Sequence, residues 1–317
     1  MAGYAKTKNK GKIGVKKTFK HIFILTAIFL LFGGLTAVFC SCSNKNIPKT
    51  INVYMTETKQ TQKLGFDDYI SGVVEAEIGE DAPKEAIKAQ AVLARTFALN
   101  FMKNNKYKYE NANISNDITE AQAYKKTTSS KIEKAVKETK DIVLKCNKEY
   151  INPLFFANSG GVTATASEGL GLSSETYNYI KSVKSPETEN NSNSYSWNCT
   201  LSKNQILNAT RNMGVNLANV STFKKGETGE SGRCKTFIIG GKEVDANTFR
   251  IQVGSTILKS TLIDNISVSS SSVTISGKGY GHGVGLSQEG AIVLAKEGKN
   301  YKEILDFYFE NISIEKA

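Results

Sequence analysis

Apolar residues fall in one unbroken block near the start of the chain and in helical or alternating patterns thereafter. From Ile22 to Phe39, 18 residues carry no charge and 12 of them are Ile, Leu, Phe or Val. At a rise of ~1.5 Å per residue such a helix spans ~27 Å, close to the hydrocarbon thickness of a bilayer. Beyond it no run is apolar enough to span. The pattern over 52–55 predicts a short strand. Residues 66, 69, 70, 73, 74 and 76 then recur at helical spacing, and Gly79-Glu80-Asp81 interrupts them. Asp81 as N-cap and Pro83 in the first turn predict a second helix to about Met102, lined by alanines at 86, 89, 91, 94 and 98.

Later elements are shorter. Residues 103–118 read as a surface loop, and 130–140 as a helix. Ile142 to Cys146 and Tyr150 to Phe156 read as a hairpin closed by Asn147-Lys148-Glu149. The stretch 187–196 is polar and is expected to be flexible. Ser202 and Gln205 form a capping box that opens a helix, Gly240-Gly241 marks a hairpin, and strands at 262–268 and 273–276 precede helices near 287–297 and 301–309. Strands and helices mix without regular βαβ alternation. The expected fold class is therefore α+β: helices and antiparallel strands around a substrate cleft, preceded by one transmembrane helix.

Charge sharpens this organisation. The chain carries a net +11, but residues 1–21 hold seven lysines and no acid, which leaves +4 for the remainder. That is too mild for nucleic-acid binding. Lysines on the N-terminal side of the apolar block are expected to keep residues 1–21 in the cytoplasm and place residues 43–317 outside. Phe39 fits neither a signal-peptidase site nor a lipoprotein cysteine at Cys40 or Cys42, so a retained single-pass anchor is expected. The expected domains are a basic tail (1–21), an anchor (22–39), a linker (40–51) and an extracytoplasmic domain (52–317) with a subdomain around 185–260. Of the outer cysteines, Cys199 and Cys234 are the expected pair, with small buried thiols as the other reading. Only His21 and His282 are present, so no zinc site is expected.

Two constellations can carry chemistry. Glu77 lies where one helix stops and the next has not begun, a place from which a carboxylate can enter a cleft. On spacing alone it is a solvated helix-end glutamate. Arg95 interrupts the alanine-lined helix and must find an acid or an anionic ligand. The second constellation runs from Gly277 to Gln288, with five glycines around His282. It matches neither a P-loop nor a dinucleotide fingerprint. A backbone loop shaping a sugar site and a structural turn with a bonded His fit it equally.

Taken together these residues resemble the stage II sporulation protein D family, which includes amidase-enhancer relatives. The elements recur in order: Tyr69 with Val73-Val74, Glu77, Ala89-Gln90-Ala91-Val92 and Ala94-Arg95-Thr96-Phe97-Ala98. Ser159-Gly160-Gly161 with Thr163, Phe249-Arg250, Lys259-Ser260 and the Gly281–Ala291 run then follow. The resemblance implies a lytic transglycosylase that breaks the β-1,4 bond between N-acetylmuramic acid and N-acetylglucosamine in peptidoglycan, leaving 1,6-anhydro ends, during forespore engulfment. It also implies a partner amidase (stage II sporulation protein P) and a membrane partner (stage II sporulation protein M). Glu77 maps onto the catalytic glutamate and Arg95 onto the arginine of the following helix, while Ser159, Gly160, His282 and Gln288 are candidates for sugar contacts. No cofactor is expected. The chain departs from the family at Ala157, where His is common, and at Gly169, where an aromatic is common. The alternative is a non-enzymatic glycan-binding enhancer of a cell-wall amidase.

A single carboxyl doing acid and then base work makes a demand on its surroundings. With an ordinary pKa of about 4.3, only ~0.2% of a glutamate is protonated at pH 7. Val73, Val74 and Ile78 are expected to supply the apolar setting that raises it. A direct Arg95–Glu77 pair would do the opposite, so Arg95 is expected to meet substrate or a structural acid, or else to form a buried salt bridge orienting its helix.

Overall fold

The computed structural model describes residues 47–104 and 108–317. The expected tail, anchor and most of the linker lie outside these. Among the described residues no helix is long and apolar enough to cross a membrane. The fold opens with β1 (Thr50–Met55), β2 (Gln60–Gly65), α1 (Phe66–Glu77), α2 (Lys84–Asn104) and β3 (Ile114–Ser115), followed by α3 (Ser130–Glu138), β4 (Ile142–Cys146), β5 (Glu149–Tyr150), β6 (Phe155–Phe156) and α4 (Ala166–Leu170). Strand β1 lies between β2, antiparallel, and β3, parallel. The expected surface loop at 103–118 thus contains a strand.

α2 is the organising element. Ile87, Ala91, Ala94 and Ala98 face a first core with α1, α3 and β1, whereas Ala86, Ala89, Val92 and Leu93 face a second core with the C-terminal helices. A helix buried on two sides needs small residues to let both neighbours approach, which accounts for its alanines. Helix α2 begins at Lys84, where the Ile87 N–H donates to the Pro83 carbonyl at 3.0 Å. Asp81 therefore falls outside the helix and does not cap it. The hairpin is also shorter than expected. Asn147 and Lys148 both adopt left-handed φ angles, 52° and 67°, forming a two-residue turn between β4 and β5.

Residues 196–278 build a third core of their own. It comprises β7 (Ser196–Ser202), α5 (Lys203–Asn212), β8 (Phe223–Lys225), β9 (Thr236–Ile239), β10 (Lys242–Asp245), α6 (Ala246–Val253), β11 (Ile263–Val268) and β12 (Ser272–Lys278). The Ser202–Gln205 capping box is formed. Phe223, Phe237 and Phe249 meet edge to face at its centre. Cys199 and Cys234 are free thiols, which corrects the expected disulfide, and burial pushes Cys234 up to about 11.

The chain then returns to the first half. β13 (Leu286–Ser287) pairs in parallel with β6, placing Leu286 opposite Phe155. Helices α7 (Gln288–Lys296) and α8 (Tyr301–Tyr308) pack on α2, and β14 (Ser313–Lys316) joins β4. Helices and mostly antiparallel strands confirm the α+β class.

Candidate functional site

Glu77 is the last residue of α1, which ends as Gly79 turns left-handed (φ 71°) and donates to the Val74 carbonyl at 3.1 Å. The last turn of α1 carries two acids and no base, the reverse of what the helix dipole favours. Glu75 is neutralised by Lys125 at 2.9 Å. Among the described residues Glu77 has no ion-pair partner of that kind. It is half-buried, and burial raises its pKa above the ordinary carboxylate value, against weaker lowering by the Ala123 N–H and the Gln288 side chain.

Three segments converge here. Val73 and Val74 are fully buried behind the acid, and Ile78 beside it packs against both the first and the second core. A strap at 122–125 crosses α1: the Ala123 N–H donates to Glu77 Oε1 at 3.3 Å, and the Lys125 N–H to the Gly72 carbonyl at 3.1 Å. Tyr124 of the strap stacks on Tyr69 at 5.9 Å. Gln288, opening α7, supplies the remaining contact, while Ile292 one turn later spans the same seam as Ile78. Among the described residues Glu77 therefore faces neutral donors, in an apolar seam between two cores. Such a carboxyl can give up a proton and take one back near neutral pH more readily than a solvated one. Two surface hollows lie away from Glu77, one beside Lys181, Leu294 and Phe307 and the other along α3.

The other expected residues do not join Glu77. Arg95 is fully buried and donates to the carbonyls of Ile142 (3.1 Å) and Val136 (3.2 Å). It meets neither an acid within ion-pair distance nor an open surface. Burial pulls its guanidinium down to about 10, still charged at neutral pH. Its role here is to hold the end of α3 and the start of β4.

Ser159 and Gly160 are buried, and their turn is joined to the glycine-rich loop that carries the half-buried His282. Asn158 and Tyr280 exchange backbone bonds at 3.0 and 2.7 Å, pinning the Ser-Gly-Gly turn to the glycine-rich loop. His282 lies 5.4 Å from the Phe156 ring, its Nδ1 accepts from the Val284 N–H at 3.0 Å, and it bonds to the backbone of Phe155. Burial, with Arg250 and Arg233 nearby, pushes it down to about 3, so it is neutral. These contacts are those of a structural turn. Arg233 explains one of its glycines: Gly283 (φ 85°) lies so close that an added Cβ would sit 2.3 Å from the Arg233 Nε. The departure at Gly169 has a similar cause, since a Cβ there would meet Val284 at 2.4 Å.

Sequence reasoning missed the polar hub that fixes this region. Glu187, placed in an expected flexible stretch, is fully buried. It accepts from the Ser159 N–H (2.8 Å), Ser287 Oγ (2.5 Å) and Ser185 Oγ (2.5 Å). Ser287 in turn caps α7 immediately before Gln288. Arg233 donates to the Ser159 carbonyl at 2.6 Å and to Ser231 Oγ at 3.1 Å, and Ser231 donates to buried Glu168 at 2.6 Å. No spacing marks these acids as buried, because their partners come from four separate segments.

A family profile described as stage II sporulation protein matches residues 54–145. Stage II sporulation protein D of Bacillus subtilis is 31% identical over 289 residues, covering 86% of this chain and 81% of that protein. Its counterpart in Bacillus amyloliquefaciens is 30% identical, covering 86% and 80%. The amidase enhancer of Bacillus subtilis is 27% identical over 298 residues, covering 77% of this chain and 40% of that protein.

Proposed function

Because the chain belongs to the stage II sporulation protein D family, a family tied to sporulation, we propose that it is a lytic transglycosylase of peptidoglycan in which Glu77 is the sole acid and base. One observation carries this reading. The carboxyl of Glu77 is half-buried between two apolar cores, faces amide donors instead of a cation, and is held above its ordinary pKa by burial.

The protonated carboxyl gives its proton to the glycosidic oxygen as the bond to the anomeric carbon of N-acetylmuramic acid breaks, freeing the 4-hydroxyl of N-acetylglucosamine. The resulting carboxylate takes the proton of the muramic 6-hydroxyl, whose oxygen closes on the anomeric carbon. The products are a 1,6-anhydro end and a regenerated acid, with no water consumed. Two carboxyl groups are usual when water is the nucleophile; an internal hydroxyl makes the second unnecessary. Arg95, internally bonded, has no part in the step.

In the same proposal the 22–39 segment anchors the chain in the cell membrane, with residues 43–317 outside. Denuded glycan is its substrate, and a cell-wall amidase (stage II sporulation protein P) and a membrane protein (stage II sporulation protein M) are its partners. The likeness to an amidase enhancer supports a second reading, a non-enzymatic module that binds glycan and stimulates an amidase. Product analysis on denuded glycan separates the two. The proposal expects 1,6-anhydro-muramic ends from the wild type and none from Glu77→Gln, with glycan binding retained. Wild-type protein that binds glycan, releases no anhydro ends and still stimulates an amidase would sink the enzymatic reading.

A further inference from the structure

Among the described residues three arginines are buried, and one of them is held the other way round. Arg95 and Arg233 bond backbone carbonyls through their terminal nitrogens and leave Nε without a partner. In Arg250, on α6, Nε is the bonded atom, donating to the Lys259 carbonyl at 3.0 Å. Its two terminal nitrogens have no acceptor among the described residues, and neither is an enclosed orphan as the other two Nε atoms are. The fork therefore reaches the surface from a side chain that is only 8% exposed. Burial lowers the pKa of this guanidinium, with Tyr280 acting against it. A cation taken largely out of water with no acid beside it is unfavourable until an anion meets it.

Lys259 and Tyr280 complete the setting. The Lys259 carbonyl also accepts from the Gly281 N–H at 2.9 Å, so one oxygen joins α6, the turn after it and the glycine-rich loop. Lys259 Nζ lies 5.5 Å from the centre of the half-buried Tyr280 ring. Among the described residues it has no acid within ion-pair distance, and Asp264 of β11 is taken by Lys278 at 3.5 Å. The Glu77 chemistry gives these two cations no role. An outward guanidinium fork suits a carboxylate in two-point contact, and the ring beside it offers an apolar platform. The geometry points to a binding site for a sugar carboxylate at Arg250, Lys259 and Tyr280. Its ligand, which rests on the reading above, is the lactyl carboxylate of N-acetylmuramic acid. That group is free only in glycan stripped of stem peptides. In a peptide-bearing strand it is a neutral amide, which cannot accept both arms of the fork as an anion does. Each disaccharide of the polymer carries one such group, so the clamp can serve without adjoining Glu77.

The test is calorimetry with the full chain in detergent micelles, carrying Glu77→Gln so that bound glycan is not consumed. The probes are denuded glycan and the same glycan with its lactyl carboxylates converted to methylamides. Denuded glycan is expected to bind about 10-fold more tightly than the amidated form, the scale of one charge-assisted contact. Arg250→Lys keeps the charge but removes the fork, and Lys259→Met removes the second cation. Each should weaken binding of denuded glycan about 10-fold and leave the amidated glycan unchanged. Lys259→Met, which removes no side-chain hydrogen bond among the described residues, serves if Arg250→Lys does not fold. Equal affinity of the parent for the two glycans, or none for either, would overturn the site, as would a Lys259→Met variant that binds denuded glycan like the parent. Displacement of the glycan by inorganic phosphate but not by N-acetylmuramic acid would also overturn it, by marking a phosphate site. If the preferences hold but the wild type makes no anhydro ends, the site stands and the enzymatic reading alone fails.

Discussion

Replacing Gly72 by alanine tests how the strap and the acid are joined. In the interior of a helix, Gly→Ala ordinarily stabilises by about 1 kcal/mol. At Gly72 the added Cβ would lie 2.2 Å from Tyr124 Cε2 and 3.0 Å from the Lys125 carbonyl oxygen. Helix α1 is fixed by the first core, so the strap must lift by more than an ångström. Lifting it gives up the Lys125–Gly72 backbone bond and the Tyr69–Tyr124 stack. Those losses, each about 1 kcal/mol, combine with the strain of overpacking. They outweigh the helix gain, and the expected net effect is a destabilisation of about 1–3 kcal/mol. The lifted strap also withdraws the Ala123 N–H from Glu77, so the Glu77 carboxyl should titrate higher. Urea unfolding measures the first effect and hydrogen exchange at the Ala123 amide the second. A variant about 1 kcal/mol more stable than wild type, with Ala123 protection unchanged, would refute the reasoning.

Three further outcomes follow from the same geometry. Glu77 is protonated more readily folded than unfolded, so it contributes least well when charged: stability should fall as pH rises from the ordinary carboxylate pKa through the raised one, and Glu77→Gln should flatten that slope in unfolding curves. Arg95→Met should destabilise by roughly 2–4 kcal/mol, because the carbonyls of Val136 and Ile142 lose their donor inside the core; a variant as stable as wild type that fails to bind glycan would restore a substrate role. His282, pushed down to about 3, should show no imidazole titration between pH 5 and 8 by NMR. No limb of the pH–activity profile near 6.5 should disappear in His282→Asn.

The long helices and the cap at Ser202 were legible in the sequence because their signals are local: apolar spacing, turn glycines and an S-x-x-Q box. Glu77 was legible as a helix-end carboxyl with valines behind it. Its partners were less so. Gln288 reaches it from 211 positions away, and the strap comes from a stretch without periodicity. Arg95 was expected to need a charge, whereas it donates to two backbone carbonyls, one at the end of α3 and one at the start of β4. Ser159 and the glycine-rich loop are brought together by the Asn158–Tyr280 pairing, which no spacing announces. Glu187, the residue that holds Ser159, sits among serines and asparagines that look solvated until Ser287 closes over it.

The parallel pairing of β6 with β13 has a bearing on when this protein becomes whole. The carboxyl lies in the first quarter of the chain, whereas Gln288 reaches its place only when residues 286–287 zip against 155–156. A chain cut short before that join holds Glu77 without that neighbour. Completion of the last segment and completion of the Glu77 surroundings are thus one folding event.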